Sequence, residues 1–299
     1  MEITFLGTSC MVPTKERNVS GIFLSYNTEG ILFDCGEGTQ RQMNICGIKR
    51  TRVTKILVSH WHGDHVSGIV GLLQTLGNEE NLPELEVYGP KGTREYMKHL
   101  MKSCQFDVQV KLKIVELMPK GVETFFENEE FELQCAQLDH NATCIGFSFV
   151  EKDRRKINVA YLKSIKVPTG AHLRQLQAGK SITFKGIKVH LEKATTLVKG
   201  KKITYVADTA PCANAVKLAK DADLLISESV YTSELEEKSE QRKHMTSKDA
   251  AQMADKAGAK KLILTHFSQR YKNTIALQED AQNYFDNVVC AEDFMKINL

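Results

Sequence analysis

At 299 residues the chain exceeds a typical domain of roughly 100–200 residues yet stays within reach of a single α/β domain, and it can bury a large core. No apolar run approaches the roughly 18–20 residues that span a bilayer, no secretory signal precedes the first strand, and the eight scattered cysteines form no C-x-x-C pair, so a soluble cytoplasmic protein without a disulfide framework or zinc ribbon is expected. The net charge of +3 hides an asymmetry: residues 151–202 carry 14 Lys and Arg against three acids, a net of +11, which leaves −8 on the remainder.

In chain order, Glu2–Thr8 reads as strand and turn, and Phe23–Tyr26 and Ile31–Asp34 as strands around an Asn27–Gly30 turn. Gly36–Ile45 opens a helix. The apolar run Lys55–Ser59 predicts a strand, and His60-Trp61-His62-Gly63-Asp64-His65 follows it directly. Val66–Leu76 predicts a helix, Leu85–Tyr88 a strand and Thr93–Ser103 a helix. Between the last two, Gly89-Pro90-Lys91-Gly92 is either a plain turn or a loop whose amides approach a phosphate. Strands are expected from Val108 to about Tyr205, interrupted by a short helix at Ala171–Gln177. The last third alternates: strands at Ile203–Ala207, Leu224–Glu228 and Leu262–Thr265, helices at Asn214–Lys220, Thr246–Ala257 and Gln278–Phe285. Thr246 with Asp249 fits a capping box and Gly258 a helix stop. The pattern predicts stacked sheets covered by helices, one domain over 1–299 with the basic stretch inserted into it. That stretch reads as the footprint of a polyanion such as nucleic acid, or as a solvated Lys-rich β surface.

Four potential metal ligands within six residues, at a strand end, outnumber what one catalytic zinc takes. Three further strand-end residues extend the pattern: His140 after Phe131–Asp139, Asp208 after Ile203–Ala207 and His266 after Leu262–Thr265. Together they can hold two ions, with His60, His62 and His140 on one, Asp64, His65 and His266 on the other, and Asp208 bridging. Asp34, at the end of its own strand, is either a partner that holds a ligand histidine in one tautomer or a turn former.

This H-x-H-x-D-H stretch with its later His, Asp and His resembles the metallo-β-lactamase superfamily. Phe5–Ser9, Phe33–Gln42, Ser59–His65 with Gly68–Leu73, Tyr205–Pro211, His244-Met245-Thr246 and Leu264–Tyr271 further resemble the ribonuclease Z family. The resemblance implies a four-layer αββα fold with an inserted basic arm at about 151–170. It also implies two Zn²⁺ per subunit (Mn²⁺ or another divalent ion being the alternative), a homodimer, and precursor tRNA rather than DNA or membrane as partner. The implied reaction removes the 3′ trailer, leaving a 3′-hydroxyl on the tRNA and a 5′-phosphate on the trailer. Asp64 is then ligand and proton acceptor, His244 the proton donor, Glu228 a candidate to orient His244, and Arg154, Arg155 and Lys156 the arm residues that grip RNA. The chain departs from the family pattern at Cys10–Pro13, at Met245 where Ser is common, and at the arm's tip, Val167–Gly170. Rival readings are a phosphodiesterase or thioester hydrolase for a small substrate, and an RNA-binding subunit without metal.

Overall fold

Strands as uniformly apolar as Gly30–Phe33 and Leu262–Leu264 need cover on both faces, and the arrangement of sheets and helices provides it. The computed structural model describes residues 1–80, 84–105 and 110–299. They divide into two compact units: Met1–Phe126 with Leu133–Phe149 and Lys202–Leu299, and Glu127–Glu132 with Val150–Lys201.

The larger unit supplies most of two seven-stranded sheets. The first runs, in spatial order, Lys296–Asn298, Glu2–Gly7, Gly21–Tyr26, Glu29–Phe33, Lys55–Leu57, Leu85–Pro90 and Leu112–Leu117. The second runs Val288–Cys290, Leu262–Thr265, Leu224–Glu228, Lys202–Val206, Cys144–Glu151, Phe131–Leu138 and Glu123–Glu127. Aromatic side chains interleave between them: the Phe33 ring lies 5.7 Å from Tyr205 and 6.4 Å from Phe147, and Tyr26 lies 5.1 Å from Phe149. On the outer face of the first sheet, Leu32, Ile56 and Val87 pack with Met43, Ile69, Leu72, Leu76 and Met97 from three helices. Helices Ala213–Ala219 and Ser247–Ala257 cover the second sheet. The layers are helix, sheet, sheet, helix, the four-layer αββα fold that the sequence predicts.

Each sheet has a parallel run of four neighbouring strands, Glu29–Phe33, Lys55–Leu57, Leu85–Pro90 and Leu112–Leu117 in one, and Lys202–Val206, Leu224–Glu228, Leu262–Thr265 and Val288–Cys290 in the other. The carboxyl ends of such strands are where an open α/β sheet builds its sites. Asp34, His60, Asp208, Glu228 and His266 all stand at such an end.

Several elements differ in detail from expectation. The helix expected over Val66–Leu76 starts earlier and is broken, running Gly63–Val66 and then Ile69–Leu76. The break lies at Ser67–Gly68, where the Gly68 N–H donates to Cys35 O at 2.9 Å and a β-carbon on Gly68 would stand 2.1 Å from Gly36 O. The final helix is Ile275–Gln282 rather than Gln278–Phe285. The capping box of Thr246 with Asp249 is present, and Gly258 closes that helix at φ 66°. Val108, where the middle strand run was expected to begin, lies outside the described residues.

In the second unit, Arg154–Ile157 pairs antiparallel with Thr195–Val198, and Ile182–Phe184 forms a hairpin with Ile187–Val189. A helix at Val159–Ser164, unexpected from the strand-like reading, supplies Leu162 to a core with Val167, Leu173, Leu176 and Val189. The arm expected at about 151–170 is the first part of this longer segment, which closes only at Thr195–Val198.

The contact of Gly68 with Gly36 has a measurable consequence. Gly68→Ala keeps an allowed φ but drives a methyl into a backbone carbonyl, an overpacking that costs about 1–3 kcal/mol. Thermal denaturation then shows a Tm lowered by several degrees; an unchanged Tm would mean the two loops separate freely.

Candidate active site

The backbone that carries the histidine cluster is stitched to the Asp34-Cys35-Gly36 segment. Cys35 N–H donates to His65 O at 2.7 Å, and a β-carbon on Gly36 would lie 2.3 Å from Asp64 O. Trp61 anchors the other side, its Nε1–H donating to Thr93 Oγ1 at 2.9 Å and its ring stacking on Tyr96. Asp34 and His266 both adopt left-handed backbone, φ 56° and 59°, which turns each side chain sharply at its strand end.

Second partners set the tautomers of three histidines. Asp34, fully buried, accepts from His65 Nδ1, Ser59 Oγ and Tyr205 Oη, each at 2.8 Å, and from the Ser59 N–H at 2.7 Å. Ser59 Oγ in turn accepts from His60 Nδ1 at 3.0 Å, and Lys243 O accepts from His140 Nδ1 at 2.9 Å. With Nδ1 occupied, each ring turns its Nε2 lone pair inward, the arrangement that orients metal-binding imidazoles. Asp34 is thus both the histidine-holding carboxylate and the strand-end turn that the sequence left as alternatives.

The seven predicted ligands converge in two groups about Asp208. His60 Nε2 and His140 Nε2 lie 3.7 and 3.9 Å from Asp208 Oδ2, and His62 Nδ1 lies 2.9 Å from His60 Nε2 and 3.4 Å from His140 Nε2. On the other side, His65 Nε2 is 3.5 Å from Asp208 Oδ1, 3.5 Å from Asp64 Oδ2 and 3.2 Å from His266 Nε2, which is itself 3.3 Å from Asp64 Oδ2. A tetrahedron with bonds of about 2.0–2.1 Å has edges of roughly 3.3–3.4 Å, so both donor sets have the size of a zinc-like cage. Asp208 Oδ1 is buried and makes no hydrogen bond among the described residues, an acceptor aimed into the second group. The residues fit two cations.

The electrostatics agree. Burial works against ionising Asp64 and Asp208, yet His65 and His266 hold both carboxyls well below the usual carboxylate range. Burial also opposes charge on the imidazoles. It prevails at His60 and His62, which are lowered, whereas Asp208, Asp34 and Asp64 push His65 up to about 9. The two carboxylates are offset by the imidazoles of His65 and His266, both pushed up in return, and a bound cation would supply that positive charge in their place.

The groups face a cavity of about 840 Å³ that His244 also lines. His244 Nδ1 lies 3.1 and 3.2 Å from the two oxygens of buried Glu228, whose Oε1 also accepts the Thr209 N–H at 2.6 Å. Burial would lower the His244 pKa, but the Glu228 carboxylate and then Asp208 raise it above the ordinary imidazole value. His244 Nδ1 stands 3.9 Å from Asp208 Oδ2, close to the donor groups but turned to Glu228.

The three arm residues are not equivalent. Arg154 and Lys156 are exposed on one face of their strand; Arg155 points the other way, half-buried, its Nη1 donating to Thr195 Oγ1 at 3.1 Å. The Gly89–Gly92 segment is a strand end and turn whose amide is already engaged: the N–H groups of Gly92 and Arg94 both donate to Glu116 Oε1, at 3.0 and 2.9 Å. Sequence reasoning missed Met11, whose N–H donates to Asp64 Oδ2 at 2.7 Å from a left-handed backbone at φ 63°, a contact no side-chain pattern signals. It also missed Asp293, which accepts from Thr8 Oγ1, the Asn18 N–H and Gln42 Nε2 at 2.7–2.9 Å and so ties the Met11 loop to the Gly36–Gln42 motif.

Residues 29–267 match the family model of the β-lactamase superfamily domain. A ribonuclease Z from Picosynechococcus sp. is 38% identical over 99% of this chain and 95% of its own length. One from Methanothermobacter thermautotrophicus is 36% identical over 100% and 97%. The crystal structure of the short form of human tRNase Z superposes with a TM-score of 0.75 at 30% identity, covering 100% of this chain and 99% of that one.

Burial raises Asp293 to about 6, against the lowering pull of the Asn18 and Thr8 hydrogen bonds. The native state therefore binds the proton more tightly than the unfolded chain, and this carboxyl's contribution to stability is lost as pH rises from about 4 through 6. Asp293→Asn, which does not titrate, gains stability relative to wild type across that window, by on the order of 3 kcal/mol. Denaturant unfolding of both proteins at each pH measures the difference; a difference flat with pH would assign the shift elsewhere.

Proposed function

Because the chain belongs to the ribonuclease Z family of the metallo-β-lactamase superfamily, and is a metal-dependent nuclease, we propose that it cuts the 3′ trailer from precursor tRNA, leaving a 3′-hydroxyl on the tRNA and a 5′-phosphate on the trailer. The observation that carries this reading is the pairing of two cage-sized donor groups, which share the Asp208 carboxylate, with a histidine–glutamate pair facing the same cavity.

His60, His62 and His140 would hold one Zn²⁺ and Asp64, His65 and His266 the other, with Asp208 between them. The nitrogen-rich donor sets suit zinc, with Mn²⁺ as the alternative. When bound, such ions make water acidic enough to ionise near neutral pH and offset phosphate charge. Asp64, whose carboxylate the Met11 N–H holds in place, accepts the proton of the attacking water. Glu228 holds the His244 Nδ1–H, so Nε2 is the nitrogen that gives its proton to the departing 3′ oxygen. Arg154 and Lys156, exposed side by side on one strand face, grip the tRNA backbone; Arg155 braces the second unit from within. The same reading carries a cytoplasmic homodimer, which sedimentation of the purified protein and cell fractionation check.

Incubation with end-labelled precursor tRNA, with and without chelator, tests the reading. One cut after the base that precedes the trailer, abolished by chelator, is expected; a cut elsewhere would replace it. His244→Ala retains its metals and loses roughly 10²–10⁴-fold in turnover of tRNA. It loses far less on bis(4-nitrophenyl) phosphate, whose leaving group needs no proton. Metal analysis decides this: loss of zinc would make His244 a ligand rather than an acid. Arg154→Ala with Lys156→Ala raises KM for precursor tRNA and flattens its salt dependence by about 1.4–1.8 in log–log slope. Arg155→Ala instead lowers thermal stability. Equal effects from both variants in either assay would remove the distinction between the two faces.

A further inference from the structure

One wall of the active-site cavity carries three cations that the reaction as described does not use: Lys238, Arg242 and Arg270. Counter-charges are at hand, since Glu234, Glu236, Glu237 and Glu240 share the same stretch of chain. Even so, among the described residues none of the three cations makes an ion pair, and Glu236 is paired with Lys248 instead. The cations are nonetheless held in place. Lys238 Nζ stands 5.3 Å and Arg270 Cζ 5.5 Å from the ring centre of buried Tyr231, so one aromatic ring braces both through its π electrons. Like charges gathered without partners repel one another and attract an anion from solution. Asp64 and Asp208 line the same cavity, and they take cations rather than phosphate.

Resting on the nuclease reading above, we propose that Lys238 and Arg242, with Arg270 on the shared ring, form a subsite for the RNA phosphate one nucleotide before the scissile one. The placement follows from the chain. Arg242 precedes His244 by two residues, and the Lys243 carbonyl between them is fixed by His140 Nδ1. Lys238 and Arg242 therefore belong to the segment that delivers the proton, on the side of the departing 3′ oxygen. The next phosphate on that side is the one 5′ to the last nucleotide of the tRNA. Tyr231 acts as a positioning residue for two of the three charges.

The test uses the metal-loaded, full-length protein and the double variant Lys238→Ala, Arg242→Ala. Its kcat/KM for precursor tRNA, relative to that for bis(4-nitrophenyl) phosphate, falls about tenfold. The salt slope becomes shallower by about 0.7, the value of one single-strand phosphate contact. An uncharged methylphosphonate at the phosphate 5′ to the last tRNA nucleotide lowers wild-type kcat/KM similarly and leaves the double variant unaffected. A wild type that cuts precursor tRNA while its variant keeps both ratio and slope overturns the subsite alone. Sensitivity to a methylphosphonate only on the trailer side overturns its placement. A wild type that cuts no precursor tRNA overturns the functional reading, and the subsite with it.

Discussion

A carboxylate with 3% exposure, surrounded by imidazoles, sets the terms on which the larger unit is built. Moving such a charge out of water costs several kcal/mol unless positive charge closes around it. Nitrogens of His60, His65, His140, His244 and His266 all stand within 4 Å of Asp208, and His65, His244 and His266 are the ones pushed toward the charged form. Those histidines come from the strand ends of both sheets and from the loops between. The contact between the sheets is otherwise aromatic and aliphatic, and apolar contact is non-directional. A buried charge with partners on every side is directional, and it fixes where the two sets of strand ends must meet.

Around that centre five inward-facing groups have a backer. Asp34 backs His65 and, through Ser59, His60; the Lys243 carbonyl backs His140; Glu228 backs His244; Met11 backs Asp64. The backers are themselves anchored, Asp34 by Tyr205 across the sheets and Glu228 by the Thr209 amide. Such a network tolerates little freedom in the loops that carry it. The close packing of Gly36 and Gly68 is the backbone counterpart of the same constraint.

How much of this was legible in the sequence depends on range. The seven convergent His and Asp residues could be read because each is a rare side chain at, or a few residues beyond, the end of an apolar strand. The capping box and Gly258 could be read because capping chemistry is local. The helix over Val66–Leu76 was drawn unbroken because its break comes from Gly36, 32 residues earlier in the chain, and periodicity within the segment carries no trace of it. The helix at Val159–Ser164 was hidden by its β-branched and aromatic residues, whose local preference the apolar core around Leu162 overrides. Arg155 looked like its neighbours because charge composition ignores which face of a strand a residue takes. Met11 and Asp293 act through a backbone amide and through contacts as much as 285 residues apart, and neither leaves a motif.

The spread of the donors along the chain also governs when they can assemble. His65 and His266 are separated by 201 residues. At a synthesis rate of about 5–20 residues per second, the second follows the first by roughly 10–40 s. Within that interval the set fills in stages, His140 first and Asp208 next, and His266 completes it only at the end. A nuclease is made on a machine that is itself largely RNA, surrounded by the tRNAs that feed it. Distributing the centre over both ends of the chain leaves its donor set incomplete beside that RNA until the last strands are made.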